Sequence, residues 1–223
     1  MIVAILQARM SSSRLPGKVL KPVVGKPILA LQIERLRRCK TIDKLVLATS
    51  NQSSDDALEQ LCHTLGIECF RGDLEDVLTR FRDAAKHHMA QHVVRLTGDC
   101  PLTDPTLIDQ LINHHLLGGF DYTSNIYPRS YPDGLDAEVF TFDTLERMYN
   151  EAQQPHEREH VTSYIESHFD DFQIGNLAQD IDQSALRWTL DTQDDFEFIQ
   201  WVYESLYETN PNFASKDILE LTQ

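Results

Sequence analysis

Strand-like and helix-like segments alternate through residue 125, and this predicts an α/β fold with a doubly wound, mostly parallel sheet and a small appended lobe. Two observations carry the prediction. Residues 2–6, Ile-Val-Ala-Ile-Leu, form an unbroken aliphatic and β-branched run, as a strand buried on both faces requires. The segments between successive strand-like runs show helical spacing, and parallel strands need such crossovers.

After the first strand comes a loop. Pro27 suits a first helical position, and Leu29, Ile33 and Leu36 recur at helical spacing until the basic cluster near Lys40. Residues 45–48 are the next strand. Ser53 or Ser54 caps a helix through Leu65, which Gly66 ends in a left-handed conformation, and residues 67–70 return as a strand. Val77, Leu78, Phe81 and Ala85 mark the apolar face of a helix before a strand at 93–96. Asp104 caps another helix, with Pro105 at its first position, and Gly118-Gly119 ends it before residues 120–123 extend again. The rhythm then changes. Residues 126–142 are rich in Pro, Tyr, Gly and Asp and lead into a strand at 138–142. Helices follow near 143–152 and 155–168, strands near 172–177 and 186–190, and a helix over 193–206.

The 223 residues suffice for one large domain, and the 41% apolar and 25% charged composition is that of a soluble globular chain rather than a disordered one. The longest apolar run is six residues, Met1 to Leu6, against roughly 18 needed to span a bilayer. No basic leader or small-residue cleavage site is present, so a protein that is neither secreted nor membrane-spanning, and is cytoplasmic, is expected. Cys39, Cys62, Cys69 and Cys100 form no CxxC pair and are expected to be reduced thiols, mostly core packing.

Twenty Lys and Arg against 35 Asp and Glu give a net charge of −15, which makes nucleic acid a poor partner. Charge is uneven, however. Residues 1–44 hold ten basic residues and two acids. Arg35, Arg37, Arg38 and Lys40 read as the exposed face and carboxyl end of a helix, where cations complement the dipole. Arg9, Arg14 and Lys18 instead sit in a turn-rich segment directly after a buried strand.

Open α/β sheets bind ligands beyond the carboxyl ends of their strands, so the loops there are the candidates. The first, Gln7-Ala-Arg-Met-Ser-Ser-Ser-Arg-Leu-Pro-Gly-Lys18, has three hydroxyls, two guanidinium groups, one ammonium and no acid, which suits a polyphosphate. It is not a Walker A loop, because Val19 follows Gly17-Lys18, and no GxGxxG follows any predicted strand. The second is Thr97-Gly-Asp-Cys-Pro-Leu102, where Gly98 permits close approach and Asp99 stands at a strand end. The third is Leu190-Asp191-Thr192, in which Thr192 and Asp195 make a capping box. Two carboxylates at strand ends beside a basic loop are the set that Mg²⁺ uses to bridge nucleotide phosphates.

The run from Ile2 to Leu20 closely resembles the signature of the cytidylyltransferase family, which includes CMP-KDO synthetases and acylneuraminate cytidylyltransferases, with a spore coat polysaccharide branch nearest. Phe70-Arg-Gly72 with Asp76-Val-Leu78, Arg95-Leu-Thr-Gly-Asp-Cys-Pro-Leu102, Tyr131-Pro-Asp-Gly-Leu-Asp-Ala-Glu-Val139, Glu157-Arg-Glu-His-Val-Thr162 and Leu186-Arg-Trp-Thr-Leu-Asp-Thr192 extend the resemblance over nearly the whole chain. It implies a Rossmann-like sugar nucleotidyltransferase in which a sugar oxygen attacks the α-phosphate of an NTP, CTP foremost, and pyrophosphate leaves. The implied catalytic set is Arg14, Lys18, Asp99 and Asp191, the two acids holding Mg²⁺. Gln7, Ala8, Arg9, Ser13, Arg71 and Gly98 complete the nucleotide site. Asp133, Asp136, Glu138, Arg158 and His160 are the expected sugar contacts, with Arg129, Arg158 and Arg187 as partners for an acidic group on the sugar. The implied organisation is one domain over residues 1–223, residues 126–180 forming an inserted substrate and dimerisation lobe of a homodimer. The pocket motifs of the sialic acid and KDO members have no counterpart in residues 126–160.

Two other readings stand beside it. His156-Glu-Arg-Glu-His160 is a literal HExxH, the zinc hydrolase motif, although the metzincin third-ligand position holds Glu166. A non-catalytic polysaccharide-assembly protein on the same fold would bind no NTP. His87, His88, His114 and His115 read as solvated helix residues.

Overall fold

The computed structural model describes residues 1–222, and its architecture grows from the run predicted at the amino end. β1 (Ile2–Gln7) buries Val3, Ala4, Ile5 and Leu6 completely. A short antiparallel hairpin, β2 (Pro22–Val23) and β3 (Lys26–Pro27), turns the chain into α1 (Ile28–Leu36). The alternation continues through β4 (Lys44–Ser50), α2 (Asp56–Leu65), β5 (Glu68–Gly72), α3 (Val77–His87), β6 (His92–Thr97), α4 (Pro105–Gly118) and β7 (Tyr122–Ser124). Then come β8 (Glu138–Thr141), α5 (Phe142–Glu151), the short α6 (Pro155–Glu159) and α7 (Ser163–Glu166), β9 (Ile174–Asn176), α8 (Gln193–Leu206) and α9 (Ser215–Leu221).

Seven strands form one sheet in the order β5-β4-β1-β6-β8-β7-β9. β5, β4, β1 and β6 run parallel, β8 is antiparallel to both β6 and β7, and β9 is parallel to β7. The predicted α/β class with a mostly parallel sheet is therefore what forms. Alternate residues of β1 face opposite layers. Val3 and Ile5 pack with Phe81 of α3 and Leu145 of α5, whereas Ala4 and Leu6 pack with Ile33 of α1 and Ile112 of α4. A third cluster joins Trp188, Phe196, Tyr203 and Phe213 around α8. Each such fully buried side chain contributes about 1.5–3 kcal/mol relative to exposure. Residues 126–180 supply β8 and β9 to the same sheet.

Register sets up the site. Gln7 lies opposite Thr97, so the loops leaving β1 and β6 start at one level, and the Gly98 amide donates to the Gln7 carbonyl at 2.8 Å.

Several local expectations change. Pro27 takes the capping position of α1, which stops at Leu36. Ser53 opens a 3₁₀ turn and α2 begins at Asp56 without a side-chain cap. Residues 155–168 break into two short helices, with Val161 at φ 40° between them. Residues 186–190 join no strand of the sheet and pair through one isolated bridge, Asp133 with Arg187. Arg35 is 2% exposed rather than solvated. Its Nε donates to the Thr103 carbonyl at 2.6 Å and its guanidinium lies 4.3 Å from the Phe213 ring, because the segment after α8 covers this face of α1. His115 is also buried, hydrogen-bonded to Thr123 Oγ1 and His92 Nδ1, and His88 is buried as well. The four cysteines are unpaired; Cys62 and Cys100 are buried and Cys39 and Cys69 half-buried. Among the described residues no helix is long and apolar enough to cross a membrane.

Candidate active site

The basic loop is a folded object rather than a loose excursion. The amides of Ser12 and Gly17 both donate to the Met10 carbonyl, and the Met10 amide donates to Asp55 Oδ1 at 2.8 Å. Gly17, at φ 68°, takes the left-handed conformation that lets the chain turn into a single 3₁₀ turn starting at Lys18. The turn buries Lys18. A buried ammonium needs partners, and Lys18 Nζ donates to the Leu190 carbonyl at 2.6 Å and to Asp191 Oδ1 at 2.9 Å, with Asp99 Oδ2 at 3.9 Å. Arg14, largely exposed, reaches the same Asp191 oxygen at 3.0 Å.

The two acids are brought together by backbone. The amide of Leu190 and the hydroxyl of Thr189 both donate to the Asp99 carbonyl, at 2.7 and 3.1 Å, which ties the segment before α8 to the end of β6. Asp191 is then held from behind. The predicted capping box forms, and Asp195 Oδ2 accepts from the amides of Asp191 and Thr192 while Arg187 bonds both acids. Burial pushes Asp191 up, but Lys18, Arg187 and Arg14 outweigh it and hold its carboxyl below the usual range. Burial acts likewise on Asp195, yet Arg187 and the hydrogen bonds from Thr192 and Asp191 bring it to about 2.

Lys18, Arg14, Asp99 and Asp191 line a cleft of about 370 Å³, together with Gln7, Ala8, Arg9, Gly98 and His160. At Gly98 a Cβ would lie 3.0 Å from Ala8 Cβ and 3.2 Å from the Gln7 carbonyl, so this position must stay small for the cleft floor to remain open. A second cavity of about 280 Å³ adjoins it and shares Asp99, Asp191, Arg95 and Thr97. Asp133, Asp136 and Glu138 line that second cavity. Asp136 takes both Nη atoms of Arg129, at 2.5 and 2.8 Å, and Glu138 pairs with half-buried Arg95 and accepts from Tyr122 Oη at 2.6 Å. Burial, and then the neighbouring Asp136, raise the pKa of Asp133.

Three expected site residues lie elsewhere. Ser13 is exposed, and Ser12 lines the cleft instead. Arg71 is spent on Asp56 and Glu59, at 2.8 and 2.7 Å, and on the carbonyls of Ser50 and Gln52. Arg158 forks onto Asp76 at 2.7 and 3.1 Å and donates to the Tyr149 carbonyl, bracing α6 against α3. With Arg129 and Arg187 also paired to carboxylates, none of the three arginines expected to meet an acidic sugar has an uncommitted guanidinium.

Sequence reasoning missed Arg80, Arg95 and Glu159, all of which line the cleft. Arg80 left a readable signal, since it shares the apolar face of α3 with Val77 and Ala84, where an uncharged side chain is the expectation. The HExxH segment lacks the free carboxylate that a zinc hydrolase uses. Glu157, the base such a mechanism needs, is buried and accepts from the Gln153 and Gln154 amides at 2.9 Å, capping its own helix.

Comparison with known proteins agrees with this geometry. The family model described as cytidylyltransferase matches residues 3–217. The spore coat polysaccharide biosynthesis protein SpsF of Bacillus subtilis is 36% identical over 99% of this chain and 93% of its own. An uncharacterised protein of Methanocaldococcus jannaschii is 39% identical over 88% of this chain and 80% of its own. A cytidylyltransferase structure from Leptospira borgpetersenii superposes with a TM-score of 0.94 at 33% identity, covering 99% of this chain and 92% of that one. A CMP-KDO synthetase solved with CTP shares the fold, with a TM-score of 0.70 at 17% identity over 92% of this chain and 98% of that one. The non-catalytic and zinc-hydrolase readings give way: the chain belongs to the cytidylyltransferase family and is a nucleotidyltransferase enzyme.

Proposed function

We propose that the protein transfers CMP from CTP to a sugar hydroxyl with release of pyrophosphate, in the synthesis of a surface polysaccharide. The observation that carries this reading is Lys18, buried in the larger cleft beside Asp99 and Asp191, the two acids that both cavities share. Lys18 and Arg14 bind the triphosphate in the larger cleft, while Asp133, Asp136 and Glu138 hydrogen-bond sugar hydroxyls in the smaller one. The sugar oxygen forms a bond to the α-phosphorus, the bond from that phosphorus to the β-phosphate oxygen breaks, and pyrophosphate departs. Asp133, its proton affinity raised by burial and by Asp136, takes the hydroxyl proton. Positioning and charge neutralisation suffice for such chemistry, so no activated Ser or Cys is required.

The donor set fits a hard divalent cation: two carboxylates, the Asp99 one partly open, line the cleft proposed for the triphosphate. Asp99 and Asp191 would hold Mg²⁺, which supplies charge neutralisation at the phosphates. A manganese complex is known for a fold neighbour from Mycobacterium tuberculosis, 17% identical with a TM-score of 0.62. We further expect a cytoplasmic homodimer in which residues 126–180 form both the sugar lobe and the subunit contact.

The test is pyrophosphate release with each of the four NTPs and Mg²⁺ against a panel of acidic and amino sugars. CTP-dependent release with one sugar is expected. No release with CTP and any sugar, or release equally fast with all four NTPs, overturns the reading.

A further inference from the structure

His87 and His88 are neighbours in sequence, and on a continuous helix their side chains would point about 100° apart. The helix ends between them. His87 is the last residue of α3 and His88 caps it at φ −94° and ψ 10°, with Met89 in the left-handed conformation at φ 52°. That turn sets the two imidazoles edge to face, their centroids 4.8 Å apart, with His88 buried and His87 exposed. Glu68, the first residue of β5, joins them. Its Oε2 lies 3.6 Å from His88 Nδ1, too long for a hydrogen bond, while its Oε1 pairs with Lys44. One ligand atom from each of Glu68, His87 and His88 lies within 4.8 Å of the other two.

Two imidazoles and a carboxylate are donors for a borderline transition-metal ion such as zinc, whereas Mg²⁺ and Ca²⁺ take oxygen ligands. With bonds of about 2.0–2.1 Å, ligand atoms on tetrahedral zinc stand roughly 3.3 Å apart. His88, held by burial, is the fixed ligand. The exposed side chains of His87 and Glu68 are free to close the remaining distance, and water completes the shell. The cluster is remote from the cleft. β5 runs parallel to β4 and β1, so its first residue lies at the edge of the sheet opposite the strand ends that carry Arg14, Asp99 and Asp191. The Lys44 ammonium opposes a cation here, though it sits on the oxygen of Glu68 that is turned away from His88.

We propose that Glu68, His87 and His88 form a zinc-class metal site that pins the carboxyl end of α3 to the outer strand β5. This does not rest on the reaction proposed above. The experiment titrates zinc by calorimetry into chelator-treated wild type, His87→Ala, Glu68→Gln and Lys44→Met, and follows melting temperature with and without zinc. His87 and Glu68 are exposed, so their variants keep the fold. Each should weaken zinc by at least about ten- to a hundredfold, the range that outer-shell losses already reach. Lys44→Met, which removes the opposing charge, should bind about threefold tighter or more. Zinc should raise the melting temperature of wild type and of Lys44→Met but not of the other two. A zinc ion held instead by Asp99 and Asp191 would be indifferent to all three substitutions. Wild type that takes up no zinc, affinity that His87→Ala or Glu68→Gln leaves within about twofold, or Lys44→Met that binds more weakly than wild type overturns the site.

Discussion

Lys18 Nζ lies 2.9 Å from Asp191 Oδ1 across 173 positions of sequence, and the same ammonium is 3.9 Å from Asp99. Asp99→Asn and Asp191→Asn should each lower Mg²⁺-dependent pyrophosphate release by on the order of 10²-fold or more if the carboxylates hold metal. Asp191→Asn should also cost roughly 2 kcal/mol of stability, since it takes the close partner from a buried ammonium. Asp99→Asn should cost little, its contact with Lys18 being long. Denaturant titration beside the kinetic assay separates the two effects; equal stability losses would contradict the asymmetry.

Arg14→Ala should weaken triphosphate binding far more than Arg37→Ala, because Arg14 lines the cleft and the exposed Arg37 donates to the Leu65 carbonyl. Equal effects in a calorimetric titration would mean that total basic charge, not the loop, attracts the ligand.

Stability should fall on mild acidification through His115. Burial, and then His92, push its pKa down to about 4 from the ordinary 6.5. The unfolded chain therefore binds a proton below about pH 6.5 that the folded chain refuses until about pH 4. Stability is full above the upper value and is lost as pH falls through the window, by about 3 kcal/mol in all. Thermal melts of wild type and His115→Asn between pH 7 and 4.5 check this: the variant's melting temperature should depend less on pH, and parallel curves would remove His115 as the cause.

Gly134→Ala should destabilise by about 3 kcal/mol. The residue sits at φ 108°, and a Cβ there would lie 2.5 Å from the backbone of both Trp188 and Thr189. Because Asp133 and Asp136 flank it, pyrophosphate release should fall in parallel with stability. A variant as stable as wild type would show that this close approach is not needed.

Glu157→Ala should cost about 1 kcal/mol, as loss of a helix cap does, with turnover nearly unchanged. Loss of turnover without loss of stability would restore a chemical role for that carboxylate.

Local chemistry made most of the scaffold legible. The aliphatic run at 2–6 could only be a doubly buried strand, Asp104-Pro105 and Thr192 with Asp195 formed the caps expected of them, and Gly66 and Gly119 ended helices in the left-handed conformation. These features act over a few residues, so the chain states them directly. The hairpin at 22–27, the short α9 and the split of 155–168 were not legible, because each is decided by packing against distant parts rather than by its own periodicity.

The site divides in the same way. By itself the sequence determined the family, the loops that border the cleft, and Arg14, Lys18, Asp99 and Asp191 as their charged groups. Only the tertiary structure decided that Arg71, Arg158, Arg129 and Arg187 are spent on carboxylates, and that Arg35, Arg80 and His115 are buried. The reason is electrostatic. Which opposite charge a side chain meets is decided by how near and distant segments are folded against it: Asp136 is 7 positions from Arg129 but Asp76 is 82 from Arg158, and both contacts depend on the assembled fold.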